Sequence, residues 1–182
     1  MTREAPSLPW RAVYDELPLS ADDRAREERY AEVAERLVGL LEDPHDWITA
    51  MATVACELHH AFGYFDWTGF YRAVTPDRLL LGPYQGSHGC LAIDFSRGVC
   101  GAAARTRTTQ LVPDVERFEG HIACSTSTRS EIVVPIVAPG GRLLGVLDVD
   151  SDTVAAFRDV DVRALEALCA DLGRRFERTP SL

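Results

Sequence analysis

The chain has 182 residues, 46% of them hydrophobic, and carries a formal charge of −9. This length and composition favour a single globular domain with its own core and argue against a disordered chain. The negative charge argues against a nucleic-acid partner, because nucleic-acid binders carry a basic patch, and no apolar run approaches the ~20 residues of a membrane helix. The N-terminus lacks the apolar segment of a signal peptide, so we expect a cytoplasmic chain without a membrane partner.

The basic residues and the cysteines further limit the types of reaction that the chain can be expected to catalyse. All 19 basic residues are arginine, which excludes Schiff-base chemistry on a lysine. The five cysteines are an odd number in a chain without a secretory signal, so a structural disulfide framework is not expected. Cysteines in a reducing compartment are core residues, metal ligands or redox-active groups.

Two helices are predicted at the start of the chain. Ser20 is a plausible N-cap for the first helix, which must end before Pro44. Its apolar stripe consists of Tyr30, Val33, Ala34, Leu37, Leu40 and Leu41. The second helix, with Gly63 as its C-cap, has the stripe Ile48, Met51, Ala52, Ala55, Leu58 and Phe62. We interpret residues 1–45 as an N-terminal extension with one helix, 46–178 as the domain and 179–182 as a tail.

The pattern then changes to short strands. "DWTGFYRAV" and "RLLLGPY" predict a hairpin around Thr75 to Asp77, and "CLAIDF" predicts a third strand. "GVCGAAART" predicts a short helix and "TQLV" a strand, before a long loop over residues 113–129. "SEIVVPIVA" and "RLLGVLDVD" flank a turn at Pro139 to Gly141, and a last helix begins near Asp159. Because these hairpins are too short for crossover helices, we expect an α+β fold with a central antiparallel sheet of about six strands and helices packed against it.

The five cysteines fall into two groups. Cys56 and Cys169 lie inside predicted helices and are most simply buried hydrophobic residues. Cys90, Cys100 and Cys124 lie at loop ends or at a glycine-flanked helix start, where a thiol can be approached. Any one of these cysteines alone is best interpreted as unreactive. Three of them in one small domain favour a chemical role for the thiols.

The pKa of Cys100 is expected to be lowered, because a helix N-terminus and nearby Arg97 both stabilise a thiolate. Zinc is an alternative, since His88 and His121 add imidazole ligands to the three thiols. No C-x-x-C pair is present, so no metal is expected. A hydrolase that pairs His121 with Cys124 is weaker still, because no nucleophile motif surrounds them.

Three carboxylates are expected to converge at one end of the sheet. Asp148 and Asp150 stand two residues apart at the end of a strand, so alternation places them on one face. The hairpin at Pro139 to Gly141 would place Glu131 opposite their end of the ladder. A solvated strand end is the simple alternative. However, like charges that face each other destabilise a sheet, so a cationic ligand such as a free amino group explains the cluster better.

Six blocks in order resemble the GAF-fold free methionine-(R)-sulfoxide reductases. They are "FDWTGFYRA", "LLLGPYQG", "RGVCGAAA", "VPDVERFEGHIAC", "SEIVVPI" and "LLGVLDVDS". The resemblance runs from about Ile48 to Phe176 and implies a GAF-like fold. It also implies an enzyme that reduces free methionine-(R)-sulfoxide, needs no cofactor, is re-reduced by a thioredoxin-type reductant and forms a homodimer.

The resemblance implies roles for the three loop cysteines. Cys124, in "HIAC", matches the catalytic nucleophile, and Cys90, after "QG", matches the resolving thiol. Cys100, in "GVCG", matches an auxiliary or alternative resolving thiol. A thiolate at Cys124 would attack the sulfoxide sulfur and become a sulfenic acid, with which a second thiol condenses to a disulfide.

The resemblance likewise implies a substrate pocket. Glu131, Asp148 and Asp150 match the carboxylates that hold the substrate, and Trp67 and Tyr71 match the aromatic residues that wall the pocket. Glu131 is also a candidate proton donor if crowding among the carboxylates raises its pKa.

Two positions depart from the family pattern. Ser125 and Arg129 stand where the family often has Asp and Asn, so loop geometry and substrate tolerance are the properties expected to differ.

A GAF module that binds a small molecule as a sensor, without turnover, shares the fold and is the main alternative function. The three-cysteine set favours the enzyme, because a sensor needs at most one. A dimerising interaction domain would leave the acidic cluster unexplained.

Overall fold

The computed structural model describes residues 15–42, 46–120 and 126–178. Its helices are α1 (Asp23–Leu40), α2 (Trp47–Ala61), α3 (Gly98–Thr106) and α4 (Asp159–Arg175). Its strands are β1 (Trp67–Thr75), β2 (Arg78–Gln85), β3 (Ala92–Asp94), β4 (Gln110–Val112), β5 (Ser130–Val137) and β6 (Leu143–Ser151). A 3₁₀ turn covers Val115–Arg117 in the loop before β5. Within these residues, no helix combines the length and the apolar character needed to span a bilayer.

The six strands form one sheet in the order β3-β2-β1-β6-β5-β4, and every neighbouring pair is antiparallel. The two predicted hairpins join β1 to β2 and β5 to β6. In the second turn, Gly141 adopts a φ of 82°, a left-handed conformation that favours glycine. The expected α+β fold with six antiparallel strands is therefore confirmed.

The helix ends differ from the predicted ones in detail. Asp22, not Ser20, caps α1, and its carboxylate accepts a hydrogen bond from the backbone N–H of Ala25 at 2.9 Å. The second helix ends at Ala61, and Phe62 is already extended, so Gly63 is not the C-cap. The helix is therefore shorter than its apolar pattern indicates, because Phe62 leaves it to pack into the core.

The sheet separates two apolar layers. The larger layer lies between one face of the sheet and helices α1, α2 and α4, and includes Phe70, Ile132 and Leu147. The smaller layer lies under α3 on the opposite face, and includes Val133 and Val146. Because side chains alternate along a strand, neighbouring residues of β5 and β6 contribute to different layers.

The helix α1 is fixed to α4 by a buried ion pair. Arg26 donates a hydrogen bond to Asp161 at 2.5 Å, and both side chains are fully buried. The hydroxyls of Tyr30 and Tyr64 donate to the same carboxylate, and the guanidinium lies 4.4 Å from the ring centre of Tyr64. These contacts pair the buried guanidinium with a buried carboxylate, so α1 shares the core of the domain although it precedes residue 46.

Candidate active site

The strand register brings the three predicted carboxylates together. Glu131 on β5 lies directly opposite Asp150 on β6, and Asp148 is two residues earlier on the same face. Glu131 is 6% exposed and Asp148 is 5% exposed, while Asp150 is partly exposed. The predicted convergence is thus confirmed as geometry, and the cluster is buried under the α3 side of the sheet.

Burial perturbs all three carboxyl groups, and repulsion between their charges adds to it at Glu131 and Asp150. Burial raises the pKa of Glu131 well above its usual range, and the charges of Asp148 and Asp150 raise it further. Burial raises the pKa of Asp148 to about 7, although hydrogen bonds with Cys100 and Glu131 act in the opposite direction. Burial also raises the pKa of Asp150, opposed by a hydrogen bond with Thr128. Glu131 therefore favours its protonated form, and the cluster gains from a cationic ligand.

An aromatic stack lies beside the carboxylates. Trp67 on β1 stacks on Tyr71 with ring centres 5.9 Å apart and on Tyr84 of β2 with ring centres 5.5 Å apart. The indole N–H of Trp67 donates to the carbonyl of Ser87 at 2.9 Å. A Cβ at Gly69 would lie 2.5 Å from the Trp67 ring, so glycine leaves the space that this ring fills. Trp67 and Tyr71, which were predicted to wall the pocket, lie together in one stack, and Tyr84 is a third member that the sequence did not reveal.

The loop between β2 and β3 carries Cys90 over this stack. A Cβ at Gly89 would lie 2.9 Å from the Tyr71 hydroxyl and 3.0 Å from the Trp67 ring, so the loop backbone packs directly on both rings. Cys90 is half-buried and disulfide-bonded, whereas Cys100 is a free thiol. The loop therefore holds Cys90 at the edge of the aromatic wall.

Residues 121–125 lie outside the described residues, and with them the predicted nucleophile Cys124, His121 and Ser125. The roles of the cysteines therefore stay predictions.

Of the two cysteines predicted to be buried inside helices, Cys169 is 1% exposed, as expected. Cys56 is only half-buried, with its Sγ 3.8 Å from His60 Nδ1, so that part of the prediction is wrong.

Cys100 does not have the predicted environment. It is the third residue of α3 and is 3% exposed, so its thiol cannot be approached from solvent. Its Sγ donates a hydrogen bond to Asp148 Oδ2 at 3.2 Å. Burial raises its pKa well above the usual range, and the charges of Asp148 and Glu131 raise it further. The expected lowering by Arg97 and the helix N-terminus is wrong, because the first turn of α3 faces buried carboxylates and Arg97 is exposed.

The same residues are the candidate metal ligands. In the part of the chain that the structure describes, Cys100, Glu131 and Asp148 form the cluster whose ligand atoms all lie within 4.8 Å of one another. A structural zinc site has four ligands, usually thiolates and imidazoles, and here one thiol already donates a hydrogen bond to one of the carboxylates. The three groups together offer oxygen and sulfur atoms of the kind that bind a cation.

Comparisons with known proteins agree with this architecture. The GAF domain model matches residues 46–176. The free methionine-R-sulfoxide reductase of Saccharomyces cerevisiae is 41% identical over 147 residues, which are 75% of this chain and 82% of that protein. The chain belongs to the GAF-domain family of free methionine-(R)-sulfoxide reductases. The Escherichia coli member is 37% identical over 145 residues, which are 80% of this chain and 87% of that protein.

A solved member of this reductase family has the same fold. The X-ray structure of the free methionine-R-sulfoxide reductase from Neisseria meningitidis, in complex with its substrate, superimposes with a TM-score of 0.79. Its sequence is 40% identical, and the match covers 90% of this chain and 96% of that one. The resemblance seen in the six sequence blocks is therefore confirmed as family membership.

One of the two departures from the family pattern can be located. Arg129, which directly precedes β5, is half exposed and pairs with Glu116 at 2.5 Å. Its backbone N–H donates to the carbonyl of Ser151 at 2.8 Å. In this member of the reductase family, Arg129 therefore ties the long loop to the end of the sheet.

Proposed function

We propose that this chain reduces free L-methionine-(R)-sulfoxide to L-methionine. The observation that carries the proposal is the buried cluster of Glu131, Asp148 and Asp150 next to the stack of Trp67 and Tyr71. Such a cluster gains from a cation, and the ammonium of a free amino acid supplies one. A methyl group bound to sulfur suits an aromatic wall. The names of the relatives agree with this substrate.

The cluster supports selection of the free amino acid over a methionine residue in a protein. Asp148 Oδ1 is buried and has no hydrogen-bond partner among the described residues. A buried acceptor without a partner is costly, so a ligand that donates a hydrogen bond to this oxygen is favoured. A free ammonium group donates three hydrogen bonds, whereas the amide of a peptide-linked methionine has one N–H and no charge.

In the proposed cycle, the Cys124 thiolate attacks the sulfoxide sulfur while the oxygen is protonated. The oxygen atom passes to the Cys124 sulfur as a sulfenic acid, and methionine leaves. Cys90 then condenses with the sulfenic acid to form a disulfide, and the oxygen leaves as water. The sulfoxide is thus reduced by two electrons, and two thiols are oxidised to one disulfide.

Glu131 is the proposed proton donor for the sulfoxide oxygen. Burial raises the pKa of Glu131 well above its usual range, which favours the protonated carboxyl group. A carboxylic acid in this state matches the requirement that a general acid holds its proton at the working pH.

Cys90 is the proposed resolving thiol. It lies in the loop that packs on the aromatic wall, and it is disulfide-bonded in this structure. Cys100, the alternative, is buried in a helix and donates to Asp148. Peptide mapping after oxidation by one equivalent of substrate tests this assignment. A dominant Cys90–Cys124 crosslink is expected, and a Cys100–Cys124 crosslink with Cys90 alkylated would reverse the two roles.

We further propose that a thioredoxin-type dithiol reduces the disulfide and that the enzyme works in the reducing cytoplasm. A homodimer is also proposed, on the basis of the family. Light scattering on the purified chain checks that assembly, with an expected mass of about twice the 20.1 kDa of one chain.

The activity is tested by thioredoxin-coupled oxidation of NADPH, with free methionine-(R)-sulfoxide as the only oxidant. Turnover of the (R) epimer by the wild type and none by Cys124→Ser is the expected result. A single turnover should release about one equivalent of methionine from Cys90→Ser, since only the resolving step is lost. Binding of methionine sulfoxide without any turnover would instead identify a sensor module.

A further inference from the structure

Cys100 is held as a thiol against the side of the carboxylate cluster. Its Sγ lies 3.2 Å from Asp148 Oδ2, and both side chains are buried. Since a carboxylate only accepts hydrogen bonds, the thiol is the donor. A Cys100 that acted as a nucleophile or as a resolving thiol would first have to give up this hydrogen bond and leave a buried carboxylate without it.

The helix that carries Cys100 has little freedom to move. A Cβ at Gly101 would lie 2.6 Å from the carbonyl oxygen of Asp94, so the start of α3 packs against the backbone at the end of β3. Val99 and Ala103 are buried on the same helix. The helix therefore fixes the position of the thiol relative to Asp148.

Because of this hydrogen bond, the two carboxyl oxygens of Asp148 have different environments. Oδ2 accepts from Cys100, and Oδ1 is buried with no hydrogen-bond partner in the described part of the chain. The thiol thus sets the rotation of the Asp148 carboxyl group.

We propose that Cys100 is a positioning residue that fixes the rotation of the Asp148 carboxyl group, with Oδ1 turned toward the ammonium group of the substrate. This inference rests on the proposed function and assigns the third cysteine of the site to substrate binding rather than to the redox cycle. The residue acts on the substrate only through Asp148.

The test compares Cys100→Ser, which keeps a hydrogen-bond donor, with Cys100→Ala, which removes it. In steady-state turnover of free methionine-(R)-sulfoxide, Cys100→Ala is expected to raise KM about tenfold and to change kcat by less than about threefold, as for the loss of one hydrogen bond to a charged group. Cys100→Ser should keep KM within about threefold of the wild type. Cys169→Ala, at a buried cysteine of α4, is the matched control and should leave both constants unchanged.

A binding measurement separates this inference from the proposed function. Calorimetric titration with L-methionine requires the ammonium site but no redox chemistry, and Cys100→Ala should weaken that binding about tenfold while Cys100→Ser preserves it. Wild type that binds methionine without turning over the sulfoxide would contradict the proposed function alone. Equal KM and equal methionine affinity in Cys100→Ala and the wild type would overturn the inference, as would a Cys100→Ser variant that turns over but forms no internal disulfide.

Discussion

The two faces of the sheet are formed by the same strands but carry different kinds of side chain. On the face under α1, α2 and α4, Ile132 and Leu147 are fully buried in a continuous apolar core. On the face under α3, their neighbours Glu131 and Asp148 form a charged cluster, with only a smaller apolar layer around it. The first face stabilises the fold, whereas the second holds like charges close together at a cost in stability. Substitutions at adjacent residues should therefore have opposite consequences.

The largest effect is expected at Asp148, on the α3 face. Asp148→Asn removes the proposed charged partner of the substrate ammonium and should lower kcat/KM for free methionine-(R)-sulfoxide by roughly 10²–10³. The free energy of unfolding should stay constant or rise at pH 7, because repulsion with Glu131 and Asp150 is relieved. Coupled kinetics and urea denaturation measure the two quantities. A large decrease in the free energy of unfolding with unchanged kcat/KM would contradict the proposed difference between the two faces of the sheet.

The adjacent residue of the same strand, Leu147, should show the reverse pattern. Leu147→Ala opens a cavity in the larger apolar layer and should lower the free energy of unfolding by about 2–5 kcal/mol. Its side chain is fully buried on the face away from the carboxylates, so kcat/KM of the folded protein should change by less than about threefold. Denaturation and kinetics at a temperature well below the transition are the measurement. A drop in kcat/KM as large as that of Asp148→Asn would show that the two faces are not separable.

The pH dependence of stability sharpens the comparison. Asp148 holds its proton up to about pH 7 in the folded state, whereas an unfolded Asp releases it near pH 4. The folded state therefore binds more protons between these values, and its stability should fall as the pH rises from about 4 to about 7, by at most ~1.4 kcal/mol per pH unit for one group. Glu131, Asp150 and Cys100 face the same carboxyl group, and the raised pKa of the two acids adds slope of the same sign.

Urea denaturation of the wild type and Asp148→Asn across this pH range checks the effect. The variant should show a shallower slope, since it has lost one titrating group. Parallel slopes would mean that Asp148 does not titrate between these pH values.

A smaller effect is expected in the loop that carries Cys90. Gly89→Ala places a methyl group 2.9 Å from the Tyr71 hydroxyl and should push the loop off the aromatic stack. Because only loop placement changes, kcat/KM should fall by about three- to tenfold. Gly39→Ala is the control, since a Cβ at that position in α1 meets nothing within 4 Å. It should leave the kinetics unchanged and add up to about 1 kcal/mol of stability. Equal kinetics for both variants would show that the loop does not position the site.

Much of the difference between the two faces of the sheet could be predicted from the sequence. Period-two alternation in "LLGVLDVDS" and the turn at Pro139 to Gly141 were enough to place Glu131, Asp148 and Asp150 on one face, and the register confirms it. Strand alternation and a short hairpin are local properties, so they constrain the register without knowledge of the rest of the fold.

The environment of Cys100 could not be predicted in the same way. A helix N-terminus and a nearby arginine are local features that favour a thiolate. The raised pKa of Cys100 comes first from its burial in the folded domain and then from charges on β5 and β6, about 30 and 50 residues later. The same holds for the stack of Tyr84 on Trp67, which depends on the β1–β2 register and on the missing side chain of Gly69. Long-range packing determined these details.

The central claim is that the carboxylates of the α3 face select the free amino acid. The most direct measurement is kcat/KM of the wild type for free methionine-(R)-sulfoxide and for its N-acetyl derivative in the thioredoxin-coupled assay. The account predicts a preference of at least roughly 10² for the free compound, because acetylation removes the ammonium group that pairs with the cluster, and it predicts that most of this preference is lost in Asp148→Asn. Equal turnover of the two compounds by the wild type would contradict it.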